Sequence, residues 1–136
     1  MLVFDEVMTS RLAPGGLHGA LGLKPDLVSF GKYLGGGVTF GAFGGSRELL
    51  SLLDPTRKDG FMHSGTYNNN VLTMAAGIAG LEKVFTPARA EALNASGDRL
   101  RERLAAAIAK HGAPMQVLGR GSMLWIHPQS TPIRRP

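Results

Sequence analysis

Asp26-Leu27-Val28-Ser29-Phe30-Gly31-Lys32-Tyr33-Leu34-Gly35-Gly36-Gly37 is the stretch that decides the fold class. The segment Asp26 to Phe30 reads as a buried strand, because strands covered on both faces are near-continuous apolar runs bounded by turn residues. It leads straight into Lys32, framed by Gly31 and Tyr33 just ahead of a glycine-rich turn. Upstream, Leu2-Val3-Phe4 repeats the pattern and runs into Asp5-Glu6, so Leu2 to Asp5 reads as another buried strand, with an acid at its exit. Phe40 to Gly45 reads as a third strand.

Helical patterns separate and follow these strands, which makes the class α/β. Ser46 is placed to cap a short helix through about Leu53, with Glu48 in its first turn complementing the dipole. Asn68 to Val84 is apolar on most sides and is predicted to be a buried helix. The longest helix is predicted to start with Thr86 as cap and Pro87 at the first helical position, and to stop at Gly112 after Lys110-His111. Leu93, Gly97, Leu100, Leu104 and Ile108 share one stripe of it, so Gly97 lies on the packed face. Met115 to Leu118 and Ser122 to His127 read as strands of a small C-terminal domain, with Gly112-Ala113-Pro114 as the boundary.

An acid at one strand end and a lysine at another suit a carbonyl cofactor with a basic ring nitrogen, which points to pyridoxal phosphate. Asp5 is the candidate to keep that nitrogen protonated, so that the ring accepts an electron pair when a bond to carbon breaks. Lys32 is the candidate amine; it reacts only when neutral, so partial burial beside Phe30 and the glycine turn is expected to depress its pKa. Gly65-Thr66, ahead of Tyr67 and Asn68-Asn69-Asn70, forms a third element. There a turn before a helix start, with free N–H groups and a threonine hydroxyl, suits a phosphate. Taken singly, each of these has a plainer reading: an acid pair opening a loop, a surface lysine, an ordinary helix cap.

The order Phe4-Asp5-Glu6-Val7-Met8-Thr9, Pro25-Asp26-Leu27, Gly31-Lys32, Gly35-Gly36-Gly37, Gly41-Ala42-Phe43-Gly44-Gly45 and Gly65-Thr66 resembles the class III pyridoxal-phosphate aminotransferases of fold type I. This group includes glutamate-1-semialdehyde aminomutase. Thr9-Ser10-Arg11-Leu12-Ala13-Pro14-Gly15-Gly16-Leu17 and the stretch Asn68 to Gly77 look most like its β-phenylalanine aminotransferase branch. The resemblance runs to about Trp125. It implies that 1–111 is part of the large cofactor-binding domain and 112–136 the start of a small α+β domain. It also implies that Asp5 pairs with the pyridine nitrogen and Val7 packs on one ring face. Lys32 would form the Schiff base and move the proton. Gly65 and Thr66 would contact the phosphate across the interface of a homodimer, so that two chains share each active site.

Thr39 and Val71 stand where the broader family often has proline, in loops or helix starts, which favours an aminotransferase over an aminomutase. Relatives carry a small-residue phosphate loop, a ring-stacking aromatic residue and the substrate-carboxylate residues ahead of the Asp5 strand. The stretch from Met1 to Pro136 therefore reads as the C-terminal part of an enzyme, a fragment or an incomplete gene model, with the pattern breaking off again at Ser130 to Pro136.

Composition narrows the alternatives. Gly accounts for 19 of 136 residues and Cys for none, so disulfides and thiolate metal sites are excluded and a cytoplasmic setting is the default. His18, His63, His111 and His127 lack paired ligand spacing, so no metal is expected, although His63 lies near the phosphate turn in sequence. No apolar run approaches the ~20 residues of a membrane span. The net charge of +5 comes from scattered residues, among them Arg57-Lys58, Arg99, Arg101, Arg103 and Arg134-Arg135. No basic run is interleaved with aromatics, so nucleic acid is not an expected partner. The implied partners are an amino acid and a keto acid, with a β-amino acid in view. The rival readings are an aminomutase and an inactive segment.

Overall fold

The structure is a computed structural model that describes residues 1–133; Arg134-Arg135, noted above for their charge, lie outside the described residues. It forms two compact units, Met1–Pro87 and the residues from Ala88 onward.

The first unit is built on three strands in the order β1-β2-β3: β1 Val3–Asp5, β2 Leu27–Gly31 and β3 Gly41–Gly45. β1 and β2 are parallel, with Val3 opposite Leu27, Phe4 opposite Val28 and Asp5 opposite Ser29. β2 and β3 are antiparallel, from Leu27 opposite Gly45 to Gly31 opposite Gly41. Val28, on the central strand, is buried. β1 is the edge strand of this sheet and Val3 is 53% exposed, so the burial expected from its apolar run is not supplied by the described residues.

The connection from β1 to β2 holds a 3-10 turn at Thr9–Leu12 and helix α1 at Gly16–Ala20. After β3, Ser46 accepts a hydrogen bond from the Leu49 N–H and caps α2, Arg47–Leu50, with Glu48 in the first turn. A 3-10 turn at Ser51–Leu53 completes the span anticipated from the sequence.

Helix α3 runs from Val71 to Ala79 and continues as a π turn, Gly80–Val84. It starts later than predicted, because Asn69 is left-handed at φ 55 and Asn70 is the cap, its side chain accepting from the Leu72 and Thr73 N–H groups. Its burial is also less than predicted. Thr73 and Gly77 are buried, whereas Val71 is 78% and Leu72 75% exposed, because the described residues cover one narrow face of an all-round apolar helix.

That narrow face carries close backbone contacts. A Cβ on Gly36 would lie 2.1 Å from the Ala76 carbonyl oxygen, and one on Gly77 would lie 2.6 Å from that of Leu34. Glycine is required where backbones approach so closely. The Thr73 hydroxyl also donates to the Thr39 carbonyl at 3.4 Å, and the Tyr33 ring packs on Phe85 with centroids 4.5 Å apart. The turn after β2 is thereby held against α3.

In the second unit, α4 spans Pro87–His111 and ends with Gly112 at φ 59, as its stop signals require. Strands β4, Gln116–Arg120, and β5, Met123–His127, form an antiparallel hairpin. Helix and hairpin are clasped by side chains: Asn94 Oδ1 accepts from the Ser122 N–H at 2.9 Å, and Asp98 Oδ1 from the Gly121 N–H at 3.0 Å. A Cβ on Gly97 would stand 2.1 Å from the Gly121 carbonyl oxygen.

Gly97→Ala opposes two effects. Alanine favours a helix interior by about 1 kcal/mol, whereas forcing a methyl against an immovable backbone oxygen costs about 1–3 kcal/mol. The clash is expected to win, and urea denaturation of the full chain should show a net destabilisation of up to about 2 kcal/mol; a stabilised variant would mean that the contact yields.

Candidate active site

Asp5 ends β1 with one carboxylate oxygen, Oδ1, occupied twice. It accepts from the Val7 N–H at 3.0 Å and from the Ser29 hydroxyl at 2.9 Å. These two donors, the Val7 N–H first, together with the positive charge of Lys32, hold the Asp5 carboxyl below its ordinary range against a small opposing effect of burial. Among the described residues no hydrogen-bond donor meets Oδ2.

Lys32 follows β2 and opens a 3-10 turn, Lys32–Gly35. Its backbone is left-handed at φ 53, a conformation that costs an L-residue about 1 kcal/mol or more and persists where its surroundings enforce it. Its neighbours are tight: a Cβ on the preceding Gly31 would come within 3.3 Å of both the Phe40 carbonyl oxygen and Val7 Cγ1. Val7 therefore stands beside the Lys32 turn. The lysine itself is exposed, which corrects the expectation of partial burial, since Phe30 and the glycine turn do not cover it.

Glu6, whose role the sequence left open, is 2% exposed and ties the loop together. Its N–H donates to the Ser29 carbonyl at 3.1 Å, extending the β1-β2 ladder past Asp5. Its carboxylate accepts from the Thr9 hydroxyl at 2.7 Å, the Leu17 N–H at 3.2 Å, the His18 N–H at 2.7 Å and His18 Nδ1 at 2.8 Å. Burial alone pushes the Glu6 carboxyl up, but the His18 N–H, the Thr9 hydroxyl, the His18 ring and the Leu17 N–H together outweigh it and hold the group below its ordinary value of 4.5. Glu6 stands in the Phe4-to-Thr9 motif with its role left open by the sequence, and Ser29 escaped the sequence reading as a site residue. Their partners lie across a strand pairing or many residues downstream.

Gly65 and Thr66 lie in an exposed turn, closed by the Asn68 N–H donating to the Gly65 carbonyl at 3.0 Å. Thr66 is not the cap of α3, a role taken by Asn70. Among the described residues no hydrogen bond ties the pair to Asp5 or Lys32. His63 nearby packs edge-on against Phe43, with ring centroids 5.4 Å apart. Asp5, Val7, Ser29 and Lys32 thus gather at one edge of the sheet, and no hydrogen bond among the described residues joins Gly65-Thr66 to them. Among the described residues, no group of three or more His, Asp or Glu side chains is placed to hold a metal, and no helix is long and apolar enough to cross a membrane.

Comparison with known proteins shows the family to which the chain is similar. Residues 1–134 match the family described as Aminotransferase class-III. The chain is 57% identical over 127 residues to a β-phenylalanine transaminase from Variovorax paradoxus, covering 93% of this chain and 29% of that protein. It is 39% identical over 134 residues to a glutamate-1-semialdehyde 2,1-aminomutase from Desulfosudis oleivorans, covering 98% and 31%. The solved β-phenylalanine aminotransferase from Variovorax paradoxus matches with a TM-score of 0.91 at 55% identity, over 97% of this chain and 30% of that one. A transaminase solved with pyridoxal phosphate bound matches with a TM-score of 0.85 at 32% identity, over 91% and 29%. The chain therefore spans about 30% of the length of these relatives.

Glu6 gives a signed pH prediction. Its donors favour the ionised form, so its contribution to stability is complete above the ordinary value of 4.5 and is lost as pH falls through the depressed folded value. Glu6→Gln should cost about 2–3 kcal/mol at neutral pH, as expected for losing hydrogen bonds to a buried charge. The gap to the unsubstituted chain should shrink in acid; urea titrations at both pH values check it.

Proposed function

The chain belongs to the class III aminotransferases, the pyridoxal-phosphate enzymes of fold type I, and from that premise we propose that its protein moves an amino group from an amino acid to a keto acid. The single observation that carries the reading is that Asp5, the last residue of β1, and Lys32, the first residue after the parallel strand β2, leave the sheet at the same end, with the Lys32 charge acting on the Asp5 carboxyl. An acid with one carboxylate oxygen open, and a lysine near enough to act on it electrostatically, fit a group with a basic ring nitrogen at one end and an aldehyde at the other. When bound, pyridoxal phosphate supplies an aldehyde that condenses with amines and a ring that accepts the electron pair of a breaking bond.

Each residue then has a task. Asp5 holds a proton at the ring nitrogen. Val7, packed beside Gly31, would lie against one face of the ring. Lys32 would be the amine that holds the aldehyde end of the group and would also move a proton at the substrate carbon. Preorganised proximity of that amine accounts for much of the acceleration. Gly65 and Thr66 would serve the phosphate, and by resemblance to the family they are assigned to the neighbouring subunit's site in a homodimer. Residues 1–111 are assigned to the large domain and 112–136 to the start of the small one. The absence of cysteine accords with a cytoplasmic setting.

The substrate proposed is a β-amino acid, supported by the 57% identity to a β-phenylalanine transaminase against 39% to an aminomutase. Incubating the whole protein that carries this stretch with a β-amino acid and a keto acid should give net amino transfer, whereas residues 1–136 alone should transaminate little. Product amine appearing only on the original substrate skeleton would favour the aminomutase. Lys32→Ala should lose about 10³-fold in rate, and borohydride reduction of the loaded protein followed by peptide mapping should label Lys32. Label on another lysine would overturn the assignment.

A further inference from the structure

The proposed role of Asp5 leaves one question that the geometry answers: what makes this carboxylate present a single oxygen to its target. Asp5 ends an edge strand and is exposed, so nothing in burial fixes its rotamer. Two donors do. The Val7 N–H comes from its own loop, two residues on, and would follow Asp5 in any local movement. The Ser29 hydroxyl comes from the facing strand at the register position opposite Asp5, and is the side-chain donor that refers the carboxylate to the sheet.

We propose that Ser29 is a positioning residue, holding Asp5 Oδ1 against β2 so that Oδ2 is turned to the ring nitrogen of the cofactor. The inference rests on the reading of Asp5 and Lys32 given above and extends it to a residue that touches neither cofactor nor substrate. Both donors sit on Oδ1, and a carboxylate so held has one rotamer and one open oxygen. Ser29 is also coupled to the clamp: its carbonyl accepts the Glu6 N–H at 3.1 Å, so β2 grips the end of β1 through backbone and side chain together. The other charged group acting on Asp5 is Lys32, at the exit of the same strand β2. Serine also favours the ionised acid, because its hydroxyl donates to the charged form.

The test compares Ser29→Thr with Ser29→Val in the full chain, two side chains of one shape that differ in the hydroxyl. Two readouts are followed. Carbon-13 NMR titration of the Asp5 carboxyl without cofactor should leave Ser29→Thr near the unsubstituted chain and raise Asp5 by about half a pK unit in Ser29→Val, the Val7 N–H remaining in place. With pyridoxal phosphate labelled with nitrogen-15 in the ring, the Ser29→Val complex should show its nitrogen signal moved toward the unprotonated form, and Ser29→Thr should restore it. Thr and Val variants that titrate alike, or that give the same ring-nitrogen signal, would overturn the proposal. Should the whole protein that carries this stretch, unsubstituted, take up no pyridoxal phosphate, the functional reading falls and this inference with it. That outcome is recognisable because it precedes any substitution.

Discussion

The parallel register of β1 and β2, which sets Asp5 opposite Ser29, is the constraint on which the rest of the first unit depends. Parallel strands run in the same direction, so both end at one edge, and whatever follows each strand is delivered there. β1 delivers Asp5 and β2 delivers Lys32. In open α/β sheets ligands bind at that carboxyl edge, where loops diverge and backbone groups are uncommitted. A slip of one residue in this pairing would turn every side chain of β1 to the other face and separate the acid from both its hydroxyl donor and the lysine.

Two sets of contacts hold the register at its end. Glu6 continues the ladder by one bond and then gathers four donors from Thr9, Leu17 and His18 onto a buried carboxylate, which pins the long connection between the strands. A buried charge is tolerated when it is this fully bonded, and loses its justification if the donors leave. On the other side, glycine permits the turn after Lys32 to meet α3 backbone to backbone at Gly36 and Gly77. The left-handed backbone of Lys32 is imposed between these anchors, by the packing of Gly31 on Val7 and Phe40 before it and of Gly36 on Ala76 after it.

Much of this was legible because local chemistry announced it. Pro87 and Gly112 bracket α4 by rules that need no tertiary information, and Ser46 capped α2 for the same reason. Asp5 and Lys32 stood out as polar residues closing apolar runs. The roles of Ser29 and Glu6 were hidden by sequence separation: Ser29 meets Asp5 across 24 positions, and Glu6 meets His18 across 12. The helix predicted from Asn68 begins at Val71, because the left-handed Asn69 breaks the run and Asn70 serves as the cap. Burial was read too generously at β1, α3 and Lys32. An apolar run reports the surroundings a segment is suited to, and the residues described here cover only part of each.

The account stands on Asp5 and Lys32 acting on opposite ends of one molecule. A crystal structure of the full chain grown with pyridoxal phosphate tests that most directly. It should show the Asp5 carboxylate at the ring nitrogen and Lys32 Nζ joined to the aldehyde carbon of the same molecule. A cofactor joined instead to Lys24, Lys58, Lys83 or Lys110, or one whose ring nitrogen faces away from Asp5, would contradict it.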